Sequence, residues 1–122
     1  MTKTPAVHPV VHAVVINAVD SQRLVDFWAS LLEVEIAQSI PPFFTWLKPQ
    51  HKGGISVAIQ LVENPTEGRN RLHLDMTVDD LDAATVRVET LGGSRLEEHE
   101  IDGFTWRVMA DPEGNEFCIA VG

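Results

Sequence analysis

Two histidines, His12 and His73, stand in matching surroundings in the two halves of the chain, in Val11-His12-Ala13-Val14 and Leu72-His73-Leu74-Asp75. Imidazole binds transition metals and carries protons near neutral pH, so a repeated histidine suggests a pseudo-symmetric site between two copies of one unit. Asp75 and Glu116 add carboxylates, and Cys118 is the only thiol. Two aromatic segments also repeat at almost the same offset, Phe44-Thr45-Trp46 and Phe104-Thr105-Trp106. Trp46 and Trp106 are candidates either for packing or for lining a ligand cavity. The blander reading makes His12 and His73 cavity histidines hydrogen-bonded to Asp75, Arg71 or water, and Cys118 a small buried apolar side chain.

Hydrophobic periodicity supplies the elements that must position these groups. An apolar, β-branched run over 10–19 predicts a strand. Asp20-Ser21 is N-cap chemistry, and Leu24, Val25, Phe27, Trp28, Leu31 and Leu32 predict a helix over 21–32. Short strands follow at 35–40, 43–47 and 55–62, punctuated by Pro41-Pro42 and Lys52-Gly53-Gly54. The order then repeats. A strand is predicted over 71–78, a helix opens at Asp79-Asp80 with Leu81, Ala84, Val88 and Leu91 on one face, and Gly92-Gly93 stops it. Strands at 94–98, 104–110 and 116–121 complete the copy. The expectation is one α+β domain over 1–122, built of two tandem βαβββ modules at 10–62 and 71–121 joined by a linker at 63–70.

Each module covers one sheet face with its helix and leaves the other bare. In the fifth strand Leu72, Leu74 and Met76 suit the helix side, leaving Arg71, His73, Asp75 and Thr77 on the bare face. A polar row there favours an open, wet cleft. In the first strand the corresponding row is expected to be His12, Val14 and Ile16.

Composition narrows the partners. A formal net charge of −9 with nine Lys and Arg argues against nucleic acid, which needs clustered cations. Arg69-Asn70-Arg71 is the nearest thing to a basic cluster, with Arg71 a candidate substrate contact. No GxxxxGK[ST], GxGxxG or GxSxG pattern occurs, so no nucleotide cofactor is expected. The chain shows no leader pattern and no run near the roughly 18 apolar residues of a membrane span, so a cytoplasmic protein without a membrane partner is expected.

The ordered motifs Val11-His12-Ala13-Val14 with Asp20, Phe27-Trp28 before Leu31-Leu32, Leu72-His73-Leu74-Asp75 with Val78-Asp79-Asp80-Leu81, and Asp111-Pro112-Glu113-Gly114-Asn115 resemble the vicinal oxygen chelate superfamily. This is the glyoxalase, bleomycin-resistance and extradiol dioxygenase fold, and the chain is most similar to its small glyoxalase-like members. The resemblance implies a homodimer and a divalent metal, Zn, Ni, Mn or Fe, held from the first, fourth, fifth and eighth strands. Carried over, those positions are His12, Gln60, His73 and Cys118. Cys118 stands where the family has a glutamate, and Glu116 lies two residues earlier, about 7 Å along the strand.

Two functions follow. One is a metal-dependent lyase, isomerase or dioxygenase acting on a small molecule, with Glu116 or Asp75 moving a proton. The other is a metal-free protein that binds or sequesters a small molecule between aromatic walls, as bleomycin-resistance members do.

Overall fold

The computed structural model describes residues 11–64 and 72–121. The first module runs β1 (Ala13–Ala18), α1 (Ser21–Leu32), β2 (Ile36–Ile40), β3 (Phe44–Leu47) and β4 (Ser56–Leu61). The second runs β5 (Leu74–Val78), α2 (Leu81–Thr90), β6 (Ser94–Ile101), β7 (Phe104–Ala110) and β8 (Glu116–Val121). Each module forms a four-stranded sheet, ordered β1-β4-β3-β2 and β5-β8-β7-β6. In both, the first strand pairs in parallel with the last, and the other neighbours are antiparallel. This is the doubled βαβββ plan expected from the repeat. Among the described residues no helix is long and apolar enough to cross a membrane.

The helix starts follow from their caps. Asp20 accepts a hydrogen bond from the Arg23 backbone N–H and Asp80 accepts one from Ala83, each satisfying an otherwise unpaired first-turn donor. The caps Asp20 and Asp80 stand one residue closer together in the chain than His12 and His73 do, so the structural repeat and the histidine repeat are out of step. That single residue matters, because a slip of one along a strand reverses the face of every side chain.

One core serves both modules. Leu24, Val25, Phe27 and Trp28 of α1 are buried together with Ile16, Val57 and Ile59 of the first sheet and Val88, Met109, Phe117 and Ile119 of the second module. Trp28 packs edge-on against Phe117 at 5.1 Å between ring centroids. Its indole Nε1–H donates to Asp111 Oδ2 at 3.0 Å, and Asp111 also accepts from the backbone of Glu113 and Asn115 and from the Asn115 side-chain amide. The Glu113 carboxylate in turn accepts from the Val19 and Asp20 N–H groups, both at 2.8 Å. The Asp111–Asn115 turn therefore latches the second module onto the end of β1 and the body of α1.

Gly93 fits the same seam. A Cβ there would lie 2.6 Å from the Ala110 carbonyl oxygen, 2.7 Å from Val88 and 3.2 Å from the Phe27 ring, so only glycine allows the close approach. Within the second module, Arg107 ties α2 to β6: its guanidinium donates to Glu98 and Thr85, both at 2.8 Å, and pairs with Asp82 at 2.8 Å.

The shared core forms on the helix-bearing sides of the sheets, and the bare faces carry the exposed rows of the first and fifth strands. In β5 the polar row is as expected: His73, Asp75 and Thr77 are exposed, while Leu74, Met76 and Val78 pack against the core. Leu72 departs from its expected place in the helix-side row, since it precedes β5 and is 86% exposed. The first-strand row is corrected as well. Ile16 and Ala18 are buried in the core, so alternation sends Val14 and His12 to that side and leaves Ala13, Val15 and Asn17 on the bare face.

Candidate metal centre and adjoining cavity

The register of β5 with β8 builds the centre. Asp75 is paired with Cys118 on neighbouring parallel strands, and both side chains fall on the bare face. His73, two residues before Asp75, shares that face, and its Nε2 lies 3.1 Å from Asp75 Oδ1. One donor atom each from His73, Asp75 and Cys118 can be chosen so that all three lie within 4.8 Å of one another. A nitrogen, an oxygen and a sulfur gathered this closely match the donors of a borderline divalent ion such as zinc, and three protein donors are the number that catalytic zinc sites use. The exposure of His73 and Asp75 leaves the centre open to a small molecule.

Of the four residues proposed from sequence as metal ligands, the structure brings His73 and Cys118 together and adds Asp75. His12 is not a member of the group, and alternation puts Ala13 at the β1 position that corresponds to His73. Gln60 lies on the bare face of β4, in register with Asn17 and Phe44, and so belongs to the first sheet, not to the sheet that carries the donors. Counting back from the helix caps would have found the slip: His73 stands seven residues before Asp80, and the residue seven before Asp20 is Ala13.

A cavity of about 640 Å³ adjoins the centre, between the facing edges of β1 and β5. Val11, Val15, Leu72 and Leu74 give it apolar walls, Trp28 contributes from α1, and Asn17, His73 and Glu116 bring polar groups. Glu116 lies on β8 two residues before Cys118 and on the same face, so it links the cavity to the donor cluster. The cavity volume lies within the range of small-molecule sites. Val15, Asn17 and Leu72, each exposed to solvent, had no marker in the sequence that set them apart from ordinary strand residues.

Trp46 and Trp106 occupy equivalent bare-face positions, opposite Ala58 on β4 and Ala120 on β8. Trp46 is 4.2 Å from the Phe44 ring, and Trp106 stacks between His99 at 5.2 Å and Phe104 at 5.9 Å. Neither tryptophan lines the cavity between β1 and β5; they form separate aromatic rows on the two sheets. Arg71 lies outside the described residues.

A family model described as a glyoxalase-like domain matches residues 13–120. No curated protein matches the chain. Among solved structures, a glyoxalase/bleomycin resistance protein/dioxygenase family enzyme from Burkholderia phytofirmans superposes with a TM-score of 0.73 at 20% identity, covering 88% of this chain and 94% of that one. Lactoylglutathione lyase from Agrobacterium tumefaciens gives 0.69 at 18% identity, covering 96% of each chain. The fosfomycin resistance protein FosX from Listeria monocytogenes, solved with Mn(II) and a dihydroxypropylphosphonic acid, gives 0.74 at 16% identity, covering 96% of this chain and 92% of that one. At these identities the likeness is one of fold.

Proposed function

The chain belongs to the glyoxalase-like domain family of the vicinal oxygen chelate superfamily, and from that premise we propose that it is a metal-dependent enzyme of the lyase, isomerase or dioxygenase kind, acting on a small molecule at the bare face of its second sheet. The observation that carries this reading is the convergence of His73, Asp75 and Cys118 donors within 4.8 Å, beside a cavity of ligand size. Lactoylglutathione lyase and the Mn(II)-bound FosX, which share the fold, give the reading a precedent.

A divalent ion held by His73, Asp75 and Cys118 would polarise an oxygen of the bound molecule. The residues of the chain do the rest. The apolar walls from β1 and β5 hold the body of the molecule and exclude water from it. Asp75 orients the His73 ring through its Nε2 contact and supplies a donor to the centre. That leaves Glu116, which lines the cavity, as the carboxylate placed to take a proton from the molecule and return it. The bare faces also expose Val15, Ile40, Ile101 and Phe104, an apolar surface that a second copy would cover in a homodimer. Analytical ultracentrifugation of the purified chain tests that pairing.

Zinc titration by calorimetry on chelator-treated protein tests the centre. Wild type is expected to take about one ion per chain and His73→Ala none, with thermal stability of the variant reduced only relative to zinc-loaded wild type. Equal destabilisation with and without zinc would make His73 a structural residue and end the enzyme reading. The second reading, metal-free sequestration between aromatic walls, is favoured by the Phe44–Trp46 and Phe104–Trp106 rows. It becomes the function if Zn, Ni, Mn and Fe(II) all fail to bind.

A further inference from the structure

The bare face of the second sheet carries a second imidazole, across the sheet from the donor centre. Asp75, Cys118, Val108 and Glu97 are paired in one row across β5, β8, β7 and β6, and Thr77, Ala120, Trp106 and His99 form the next row. Directly paired residues point to the same face, so His99 and Glu97 share the face of the centre. We propose that His99 is a binding group for the same molecule, taking a hydroxyl on an aromatic arm that runs from the donor centre across Val108 and Ala120 toward β6, a step that rests on reading His73, Asp75 and Cys118 as the site of a metal-bound small molecule.

Two contacts hold the His99 ring. Its Nε2 lies 2.8 Å from Glu97 Oε2. A carboxylate only accepts, so Nε2 carries the hydrogen and, in the neutral ring, Nδ1 is an acceptor. The ring also stacks on the Trp106 indole, with centroids 5.2 Å apart and planes at 26°, and Trp106 stacks in turn on Phe104. Together these fix where Nδ1 points, while the His99 side chain stays 45% exposed and within reach of a ligand. An acceptor fixed in this way selects a group with a hydrogen to give: a hydroxyl satisfies it, and an ether or ketone at the same place does not. The floor between the centre and His99 is low and apolar, with Val108 buried beside the half-buried Ala120, which suits a flat ring packed against the edge of the aromatic stack. His99 lies two strands across and two residues along from Cys118, roughly 12 Å on the spacing and rise of a sheet, a span that two linked benzene rings with their end groups match. The selection depends on the lone pair of one nitrogen and not on the net charge of the face.

The test uses biphenyl-4-carbohydroxamic acid and its 4′-hydroxy and 4′-methoxy derivatives, whose shared hydroxamate binds zinc while the far ring carries the group that meets His99. Each is titrated by calorimetry into zinc-loaded protein and into chelator-treated protein. The 4′-hydroxy probe is expected to bind about fivefold more tightly than the other two, the worth of one net hydrogen bond. In His99→Phe, which keeps a ring against Trp106 but has no nitrogen, that ratio should fall below about twofold while the affinity for the 4′-methoxy probe is unchanged. Long-range ¹H–¹⁵N spectra of the wild type read the site without a variant: the His99 Nδ1 resonance should move with the 4′-hydroxy probe and stay in place with the 4′-methoxy probe. Equal affinities for the three probes, a ratio retained in His99→Phe, an unmoved Nδ1 resonance, or no binding of any probe to zinc-loaded protein would each overturn the proposal. Zinc uptake, measured on the same samples, separates this proposal from the reading beneath it. Zinc bound with no preference for the hydroxyl removes only the role of His99, whereas a moved Nδ1 resonance in protein that takes up no zinc removes the metal centre and keeps the His99 subsite.

Discussion

The Trp28–Asp111 hydrogen bond is the buried polar link between the modules, and replacing Trp28 with phenylalanine tests whether it holds them together. Phenylalanine keeps an aromatic ring against Phe117 but has no N–H. Asp111, 3% exposed, then keeps its donors from Glu113 and Asn115 and loses the one that comes from α1. A hydrogen bond to a charged group is worth about 1.5–3 kcal/mol. The smaller ring also leaves a void in a site where Trp28 is 1% exposed, at a cost on the order of 1 kcal/mol. The expected loss is about 3 kcal/mol, equivalent to a fall in melting temperature of roughly 10–15 °C for a chain of this size. Urea denaturation followed by far-UV circular dichroism reads it without relying on the fluorescence of the deleted indole. Trp28→Phe, Asp111→Asn and the double variant form a cycle, with an expected coupling of about 1–2 kcal/mol. Additive single effects, or a Trp28→Phe loss below about 0.5 kcal/mol, would show that the Trp28–Asp111 bond contributes nothing to holding the modules together.

Gly93→Ala is expected to cost about 1–3 kcal/mol in a urea titration, because its Cβ would meet the Ala110 carbonyl and Val88 inside contact distance; a neutral result would mean the seam can shift freely. The hydrogen bond from Arg107, chiefly, holds the Glu98 carboxyl below its ordinary value of 4.5. Its contribution to stability is therefore complete above about pH 4.5 and lost as pH falls through the lower folded value. Glu98→Gln should flatten the acid limb of a plot of urea midpoint against pH, and an unchanged limb would reject the assignment. His12→Ala should leave zinc uptake at the wild-type level, in contrast to His73→Ala, since His12 stands outside the donor group; loss of uptake would return His12 to the centre.

Local pattern reached a long way into this protein. The spacing of Leu24, Val25, Phe27 and Trp28 and the cap at Asp20 determine α1 over Ser21–Leu32, and the strands Phe104–Ala110 and Glu116–Val121 are likewise legible as written. The doubled βαβββ order, the bare-face polar row of β5 and the place of Cys118 on β8 follow from the same reasoning, because period, capping and alternation act over a few residues. Three matters were decided only by the tertiary structure. The β5–β8 register set Asp75 beside Cys118 and made it part of the donor cluster, a pairing between strands separated by a helix and two further strands that no local period encodes. The second was which face of β1 turns inward: the cap spacing already carries the one-residue offset, but only the burial of Ile16 and Ala18 puts Ala13, and not His12, on the face that His73 takes beside β5, because helix docking on the sheet fixes that choice. The third was the joining of the modules along their helix-bearing sides through Phe27, Trp28 and Phe117, which leaves the bare faces open. Either face of a four-stranded sheet can be buried, and the choice rests on the summed packing of residues far apart in the chain.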